Sequence, residues 1–497
     1  MGMRRRNFLA LSTLAVAAIS GCVEGPGEVD EHQPDVSVIE FAGEYIALTD
    51  QEEIDRGIDG ETILASAIEA CPPGGIVHGN ATVEMTDGPI HLDAGKTLSG
   101  TLTLENKLAE RPCVIVQGTH EETHQLLDDS ERGDTSVTIS DVSSIDPLDT
   151  VVIERDEEFY SESEGNRGEI HQVKEVDEES GQITFYQPLY FDYPVEDNAR
   201  AEHLVPTSAH IDGLTIEGTG SENDQHGIMI RRARDSVVRN VEINRCGTRA
   251  IRIVESLNVH VRDSTITRSD RPGIGYGVVF NNGVANCTVS NCVITECRHC
   301  VAHVSGPAWF GAPRKTVVEE NYFVSGKEQP IDAHPNVIST TWRNNEVHTH
   351  TQAFLTGALV TEITDNVVYG GNALADRGNN SAMSLVVDGN RFVDSGTFHL
   401  YNLARVNRLI IANNHWENAT RDPIYVEVAC GNVQIVNNNI TYAGLSSAER
   451  EYAIQFTRPV QHGLIEGNEI YGPWVDVFAG SEQSDVTVTD NSLSAEQ

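Results

Sequence analysis

Apolar and polar residues alternate in short segments over residues 209–497, and one phrase recurs throughout that region. Three late copies show it most clearly: Val387–Phe392, Ile411–Trp416 and Ile435–Ile440. Each copy ends on an apolar marker, and the markers follow at intervals of 21 to 30 residues: Ile216, Ile243, Ile266, Ile294, Phe323, Val347, Val368, Phe392, Trp416, Ile440, Ile470 and Leu493. Alternation with a period of two is typical of β-strands.

The repeat length predicts the architecture. A unit of 21–24 residues with two or three short strands cannot bury its apolar side chains alone, so units must stack. These features are typical of a right-handed parallel β-helix, an all-β fold. A leucine-rich repeat is the second architecture considered, but its leucine frame and helical half are missing.

An asparagine stands two residues before eight successive markers. The eight are Asn321, Asn345, Asn366, Asn390, Asn414, Asn438, Asn468 and Asn491. Asparagine tolerates a left-handed turn, and its amide can bond to an identical residue above and below. We therefore predict an asparagine ladder at one corner of the coils. Earlier coils carry Val241, Ser264 and Cys292 instead, so the ladder begins at Asn321.

Residues 51–105 read as a cap and the first coils. Residues 62–71 form a short amphipathic helix through Ile63, Leu64, Ala67 and Ile68, and short strands follow around 90–92 and 97–100. With the repeat, this segment resembles the entry to the pectate-lyase-like superfamily over roughly residues 50–105 and 209–497. The resemblance implies a helix that covers the open end of the β-helix and protects its edge.

Residues 106–208 break the repeat and are rich in acidic residues. Strand-like runs occur at 137–139, 151–154, 170–176 and 183–186, which predicts an inserted small β-domain. Substrate binding, contact with another subunit and shielding of one flank remain open as its role.

The amino end predicts export. Arg4-Arg5-Arg6-Asn7-Phe8-Leu9 resembles a twin-arginine signal, and Ile19-Ser20-Gly21-Cys22 resembles a lipobox. Residues 1–21 would be the signal peptide, Cys22 the lipidated residue and residues 22–50 an acidic tether. The resemblance implies a protein on the outer face of the cytoplasmic membrane, held there only by its lipid.

The chain has 34 Lys+Arg against 75 Asp+Glu, a formal net charge of −41. That excess argues against a nucleic-acid partner, which needs a basic face. Five lysines stand against 29 arginines, and the composition is similar to that of proteins adapted to molar salt. At about 1 M salt the screening length is only about 3 Å, so an acidic sugar is still an acceptable partner.

Four of the nine cysteines lie close together, at Cys287, Cys292, Cys297 and Cys300. Their spacing differs from two paired zinc knuckles, and the repeat spreads them around one coil. We expect buried apolar residues there, with no metal site.

The second strand of each early coil supplies candidate chemistry. His226, Arg249, Tyr276 and His299 occupy equivalent positions, so they predict one column that steps about 4.8 Å per coil, and Arg298 adjoins it. In the next coil, Asp332 and His334 should lie on the outer surface if Ile331 points inward.

Two loops border the outer surface formed by this column with Asp332 and His334, which we call the wall. The coil after His299 is longer than its predecessors and carries Trp309 and Phe310, which could stack on sugar rings or pack as an apolar lid. The loop that contains Arg271 precedes Tyr276 and could close the other side.

These groups suit β-elimination from a uronate, which needs a neutralised carboxylate, a base and an acid. Arg249 or Arg298 would neutralise the carboxylate, His299 or His334 would take the proton, and Tyr276 would protonate the leaving oxygen. We therefore predict a polysaccharide lyase, with Asp332 among its catalytic residues and His226, Trp309, Phe310 and Arg271 binding substrate.

Other functions stay open on the same scaffold. Asp332-Ala333-His334 loosely resembles the Asp-Pro-His core of alginate C5-epimerases, but Gln329-Pro330 and Pro335 depart from that pattern. A glycoside hydrolase needs two carboxylates, for which Asp224 and Asp332 are available. The Trp-x-Asp-His signature of pectate lyases is absent; calcium assistance is open, although no ligand loop is recognisable. A glycan-binding or adhesion protein would use the same wall. The oligomeric state is not predicted.

Overall fold

The computed structural model describes residues 34–50, 52–159, 165–220, 224–325, 327–378, 380–442, 450–472, 474–481 and 484–494. They form an all-β right-handed parallel β-helix with one N-terminal helix and an inserted β-domain, so the predicted fold class is confirmed. The predicted signal peptide (1–21) and Cys22 lie outside the described residues.

Each coil contributes one strand to each of three parallel sheets, which we call sheets A, B and C. The parallel strands of sheet A are Ile76–Asn80, Thr97–Gly100, His210–Asp212, Val237–Arg239, His260–Arg262, Thr288–Ser290, Thr316–Glu319, Ser339–Arg343, Val360–Thr364, Ser381–Asp388, Arg405–Ala412, Ala429–Val436, Val460–Glu466 and Val486–Thr489. Those of sheet B are Thr82–Met85, Thr103–Asn106, Thr215–Gly220, Glu242–Cys246, Thr265–Thr267, Val293–Thr295, Tyr322–Val324, Glu346–His348, Val367–Tyr369, Arg391–Val393, His415–Ala419, Asn439–Tyr442, Glu469–Tyr471 and Ser492–Ser494. Those of sheet C are Ile90–Leu92, Pro112–Gln117, His226–Arg231, Arg249–Val254, Tyr276–Asn281, His299–Val304, Ile331–Ala333, Gln352–Thr356, Asn372–Asp376, Phe398–Leu400, Ile424–Val426, Arg450–Phe456 and Trp474–Ala479.

Stacking of like residues fills the interior. Ile216, Ile243 and Ile266 pair directly across sheet B, and all three side chains are fully buried. Later coils place aromatic rings at that same level, where Phe392 and Trp416 stack with centroids 4.8 Å apart. Each inward row therefore gains its apolar neighbours from the coils before and after it.

The asparagine ladder runs from Asn321 to Asn491 as predicted. In each step the Nδ2 of one asparagine donates to the Oδ1 of the next, over 2.8 to 3.0 Å. The left-handed turn falls elsewhere than expected, since the positive φ angle belongs to the residue before each asparagine, such as Asn344 or Asn413. The ladder asparagines are free to form inward hydrogen bonds because their neighbours make the turn.

A cap closes the N-terminal end of the β-helix. The helix α1 spans Gly60–Ala70, and the Asp59 side chain caps its first turn by accepting from two backbone amides. Its residues Ile63, Leu64, Ala67 and Ile68 are buried, as the sequence predicts. The predicted tether was too long, because Val36–Phe41 and Glu44–Leu48 are strands, joined antiparallel to each other and followed by Glu53–Gly57.

The insert forms a six-stranded antiparallel sheet. Its strands are Thr119–Gln125, Ser136–Thr138, Thr150–Glu158, Asn166–Asp177, Gln182–Phe185 and Arg200–Val205, and a short 3-10 helix spans Val195–Asp197. The first and last of these strands were not predicted. Residues 112–117, expected in the insert, pair instead within sheet C, so the insert is shorter than 106–208.

The insert is fastened to the coils by a buried ion pair. Arg314 lies 3.0 Å from Glu169, and both side chains are almost fully buried. Val152, Ile170 and Leu204 of the insert pack with Leu257 and Ala285 of the coils. The insert is therefore held in a fixed position against the coils, beside sheet C.

The four clustered cysteines are fully buried, as predicted, and burial raises the pKa of each thiol. In the described residues we find no group of three or more His, Cys, Asp or Glu side chains arranged to hold a metal ion. No described helix combines the length and the apolar character that a membrane crossing requires.

Candidate functional site

The predicted column exists on the outer face of sheet C. His226 pairs with Arg249, Arg249 with Tyr276, and Tyr276 with His299 in successive coils. The column is not uniformly accessible, because Tyr276 is 6% and His299 1% exposed. Neighbouring side chains cover Tyr276 and His299, whereas Arg249 is partly exposed.

A second column runs parallel to it, three residues further along each strand. Arg252 pairs with Val279, Val279 with Ala302 and Ala302 with Asp332. Asp332 was expected at the surface; the structure places it on the outer side of the sheet but leaves its side chain 0% exposed. Three cationic or ionisable side chains from neighbouring segments cover its carboxylate.

These three side chains converge on one oxygen of Asp332. Arg377 lies 2.9 Å from Oδ2, and the Nε2 atoms of His299 and His334 each lie 3.5 Å from it. Burial alone would raise the pKa of Asp332, but His334, His299 and Arg377 together hold it well below its ordinary value. Asp332 is thus a buried carboxylate that stays ionised.

His299 is fixed behind the surface. Its Nδ1 lies 2.6 Å from the backbone carbonyl of Gln329, which only accepts, so Nδ1 carries the proton and Nε2 faces Asp332 and Glu328. Burial lowers the pKa of His299, although Asp332 opposes that effect. Its ring stacks on Tyr276 with centroids 5.7 Å apart.

Arg298 covers this pair of rings. It bonds to Glu328 over 2.8 Å, donates to the Gly273 carbonyl over 3.0 Å and approaches the Tyr276 hydroxyl at 3.5 Å. The Tyr276 hydroxyl itself donates to the same Gly273 carbonyl. Tyr276 and His299 therefore lie beneath an Arg298–Glu328 ion pair, away from a ligand on the surface.

Solvent reaches three side chains around Asp332 and His299: His334, Arg377 and Glu328, which are 14%, 38% and 43% exposed. His334 was predicted, while sequence reasoning missed Arg377. Arg377 directly follows a sheet C strand, which marks it as a wall candidate, but its ion pair with Asp332 spans 45 residues and depends on the stacking of two later coils.

A basic cluster lies three coil steps from Asp332, about 14 Å along the sheet. Arg249 and Arg252 form it, and within the described ranges neither has a carboxylate within 4.0 Å. Arg252 donates to the Asn281 side chain, and burial and its arginine neighbours lower its pKa to about 10. Burial and the two arginines also lower the pKa of His226 to about 3, so His226 is neutral near pH 7.

Trp309 borders the basic cluster. The guanidinium groups of Arg231 and Arg252 lie 4.0 and 5.4 Å from its ring centroid. Arg231 also pairs with the buried Glu255, which accepts from the backbone amide of Phe310 and so holds the loop in place. Arg231 and Arg252 were not predicted as site residues, although Arg252 has the same outward phase in its strand as Asp332.

Phe310 and Arg271 have partners of their own. Phe310 packs on His120 of the insert, with centroids 5.0 Å apart, and on the apolar contact between insert and coils. These contacts match the apolar-lid alternative, and Phe310 also lines a cleft beside Trp309. Arg271 forms an ion pair with Asp224. A cleft of about 280 Å³ remains between Trp309 and the insert residues Glu154 and Arg200.

The fold and this outer face define a right-handed parallel β-helix protein with a candidate ligand-binding wall. Residues 206–333 match a family model described as a right-handed β-helix region. No curated protein matches the chain.

Among solved structures, the chain is similar to three phage tailspikes. The tailspike gp61 of Pseudomonas phage phi297 has a TM-score of 0.61 at 14% identity, over 87% of this chain and 72% of that one. The tailspike gp49 of Pseudomonas phage LKA1 has a TM-score of 0.56 at 14% identity, with the same coverage. The Gp54 tailspike of Acinetobacter baumannii bacteriophage AP22, solved with a capsular saccharide, has a TM-score of 0.51 at 13% identity, over 88% and 77%. These likenesses establish the fold.

Proposed function

We propose that this protein binds an acidic polysaccharide along the outer face of sheet C and cleaves it by β-elimination. One observation carries the proposal. Arg249 and Arg252 have no carboxylate partner in the described part of a chain whose net charge is −41, and they stand in line with the Asp332–His334 centre. Partly buried cations without a carboxylate partner suit an anionic ligand.

His334 is the proposed base. Its side chain is 14% exposed, with Nδ1 buried and Nε2 facing Asp332, and the ionised Asp332 would stabilise the imidazolium that forms. Arg377, beside the same oxygen of Asp332, is placed to neutralise the substrate carboxylate. The basic cluster of Arg249 and Arg252, three coil steps away, would hold a second acidic unit of the same polysaccharide.

The elimination then balances as follows. His334 takes the proton next to the carboxylate, the electron pair left behind forms the carbon–carbon double bond, and the bond to the leaving oxygen breaks. The leaving oxygen takes its proton from the imidazolium of His334, because the Tyr276 hydroxyl is engaged beneath Arg298. His299 holds no surface position and would act as a positioning residue for Asp332.

The structural neighbours agree with a glycan ligand. One protein of this fold, the AP22 tailspike, is solved with a capsular saccharide. A β-helix hosts several functions, so the site residues must decide the reaction.

The test is a panel of polyuronates, with formation of unsaturated ends followed by ultraviolet absorbance. Wild-type protein should produce them, and His334→Asn should lower turnover by at least a hundredfold. His462→Asn is the matched control, because that side chain is 75% exposed at a site on sheet A. Binding without turnover by the wild-type protein would favour an adhesion protein, and inversion at C5 without cleavage would favour an epimerase.

Hydrolysis is the second candidate, for a specific reason. Glu328 and Asp332 both lie 3.5 Å from His299 Nε2, so these carboxylate oxygens are at most about 7 Å apart. That separation is compatible with a pair of hydrolytic carboxylates. Against it, Asp332 is held ionised and Glu328 is paired with Arg298. New reducing ends without unsaturated ends would decide for hydrolysis.

We also propose export by the twin-arginine route and lipidation at Cys22, on the evidence of the amino-terminal sequence. Mass spectrometry of the protein recovered from membranes should detect a lipid on Cys22. The same measurement on Cys22→Ser should show an unmodified chain released from the membrane fraction, and recovery of wild-type protein without lipid would refute the proposal.

A further inference from the structure

Beyond Asp332, the outer face of sheet C continues towards a cluster of aromatic side chains. Asp332 pairs with Leu355, Leu355 with Ala375, Ala375 with His399 and His399 with Tyr425, one coil at a time. His399 therefore lies three coil steps from Asp332, about 14 Å away. Arg252 lies at the same distance from Asp332, on the opposite side.

Three rings form what we call the aromatic platform: Tyr401, His399 and Tyr425. The His399 ring lies 4.5 Å from that of Tyr401 and 5.0 Å from that of Tyr425, centroid to centroid. Tyr401 is 48% exposed. Exposed rings that lie together in this way offer a surface on which a sugar ring can stack.

The platform is held rigidly. The buried carboxylate of Asp376 accepts from the backbone amides of Tyr401, Asn402 and Leu403 over 2.6 to 2.8 Å. Burial raises the pKa of Asp376 and these three hydrogen bonds oppose that rise, so the loop and its carboxylate depend on each other. A backbone fixed in this way reduces the conformational entropy that the loop loses when a ligand stacks on the Tyr401 ring.

The charge around the aromatic platform differs from that of the basic cluster. Glu427 lies 2.8 Å from His399 Nε2 with its side chain 39% exposed. A carboxylate at that position repels an acidic sugar, but it can accept hydrogen bonds from sugar hydroxyls. Between the aromatic platform and Asp332, the column carries the half-buried Leu355 and the buried Ala375.

We infer that the aromatic platform binds an uncharged sugar unit of the same polysaccharide whose acidic units reach Arg252 and His334. This inference rests on the proposed function. The binding path is then centred on Asp332 and extends about 14 Å to either side. A path of that length favours attack within long chains that carry both acidic and uncharged units.

Tyr401→Ala tests the platform, with kcat/KM measured on long and short oligosaccharides from one active polysaccharide. The ratio of kcat/KM for long over short substrates should fall about tenfold, the loss expected for one stacked ring. Tyr471→Ala is the matched control, since Tyr471 is 39% exposed but belongs to sheet B, and its ratio should equal that of the wild type. Thermal melting of each variant confirms folding.

The outcomes separate the two proposals. An active wild-type enzyme whose long-to-short ratio is unchanged by Tyr401→Ala, or changed equally by Tyr471→Ala, overturns the platform alone. A wild-type protein that neither cleaves nor binds any acidic polysaccharide overturns the proposed function. A polymer of acidic units only that shows the full Tyr401 effect overturns the assignment of an uncharged sugar.

Discussion

Asp332 stands out among single residues because burial opposes its charge while its surroundings stabilise it. The carboxylate has no solvent contact, and one of its oxygens meets Arg377, His299 and His334. An ionised group in such a place needs all its partners, since each missing one leaves charge uncompensated. The ionised carboxylate in turn lies 3.5 Å from His334 Nε2, where it would stabilise an imidazolium.

Arg377→Gln should move the acid limb of the activity profile. Arg377 carries a positive charge 2.9 Å from Asp332 Oδ2, so its removal lets the Asp332–His334 centre bind protons more readily, and activity is lost at a higher pH than in the wild type. We expect kcat/KM to fall at least tenfold at neutral pH, and stability by about 1–3 kcal/mol. Arg343→Gln, which breaks an exposed pair with Glu319, is the control. An unmoved acid limb would refute this role.

His303 should make stability fall in acid. It is fully buried beneath Asp332, and burial lowers its pKa to about 4. Between pH 6.5 and 4 the unfolded chain therefore binds a proton at His303 and the native chain does not, so stability is lost as pH falls. The slope from this residue is about 1.4 kcal/mol per pH unit.

Denaturant unfolding at several pH values measures this slope. The difference between wild type and His303→Gln should show it between pH 6 and 4. His462→Gln should leave the wild-type slope unchanged, because that side chain is 75% exposed. A His303→Gln variant that keeps the full wild-type slope would contradict the expectation.

At the scale of elements, the asparagine ladder ties each coil to the next. Asn390 accepts from the amide and side chain of Asn366, and donates to Asn414 and to the Ile363 carbonyl. It replaces, at a turn, the backbone hydrogen bonds that the strands make elsewhere.

Asn390→Ala should destabilise the protein by about 2–4 kcal/mol, since it leaves the Asn366 amide and the Ile363 carbonyl buried without partners. Asn407→Ala, at an exposed strand position, should change stability by less than about 0.5 kcal/mol. Urea unfolding gives both values. Equal effects of the two substitutions would show that the ladder adds nothing specific.

The coil register could be read from the sequence because identical phases recur in every repeat. The column from His226 to His299 and the ladder from Asn321 both follow from counting residues. What encloses a residue could not be read in this way. Asp332 is covered by Arg377, two coils later, and Phe310 is partly covered by an insert more than a hundred residues earlier in the chain. Such contacts depend on loop lengths and on packing between distant segments, which no local pattern encodes.

At the scale of the whole molecule, a chain with a net charge of −41 presents a cationic wall to the proposed ligand. The repulsion by the net negative charge and the attraction by the local arginines differ in range. Repulsion by the whole molecule acts over the screening length, about 10 Å at 0.1 M salt and about 3 Å at 1 M. Contacts of a sugar carboxylate with Arg249 or Arg252 form at hydrogen-bond distance and are screened far less.

The association rate of an acidic oligosaccharide should therefore rise with salt, the reverse of what a basic protein shows with a polyanion. Stopped-flow binding between 0.05 and 1 M sodium chloride should show a rate that increases severalfold, with a dissociation rate that changes less. Arg252→Gln should raise the dissociation rate at every salt concentration. It should leave the dependence of the association rate on salt unchanged, because that dependence is set by the molecule's total charge. The control ligand is an uncharged oligosaccharide of equal length, whose association should not depend on salt. A rate that falls with salt for the acidic ligand would mean that the local arginines, and not the overall negative charge, govern the encounter.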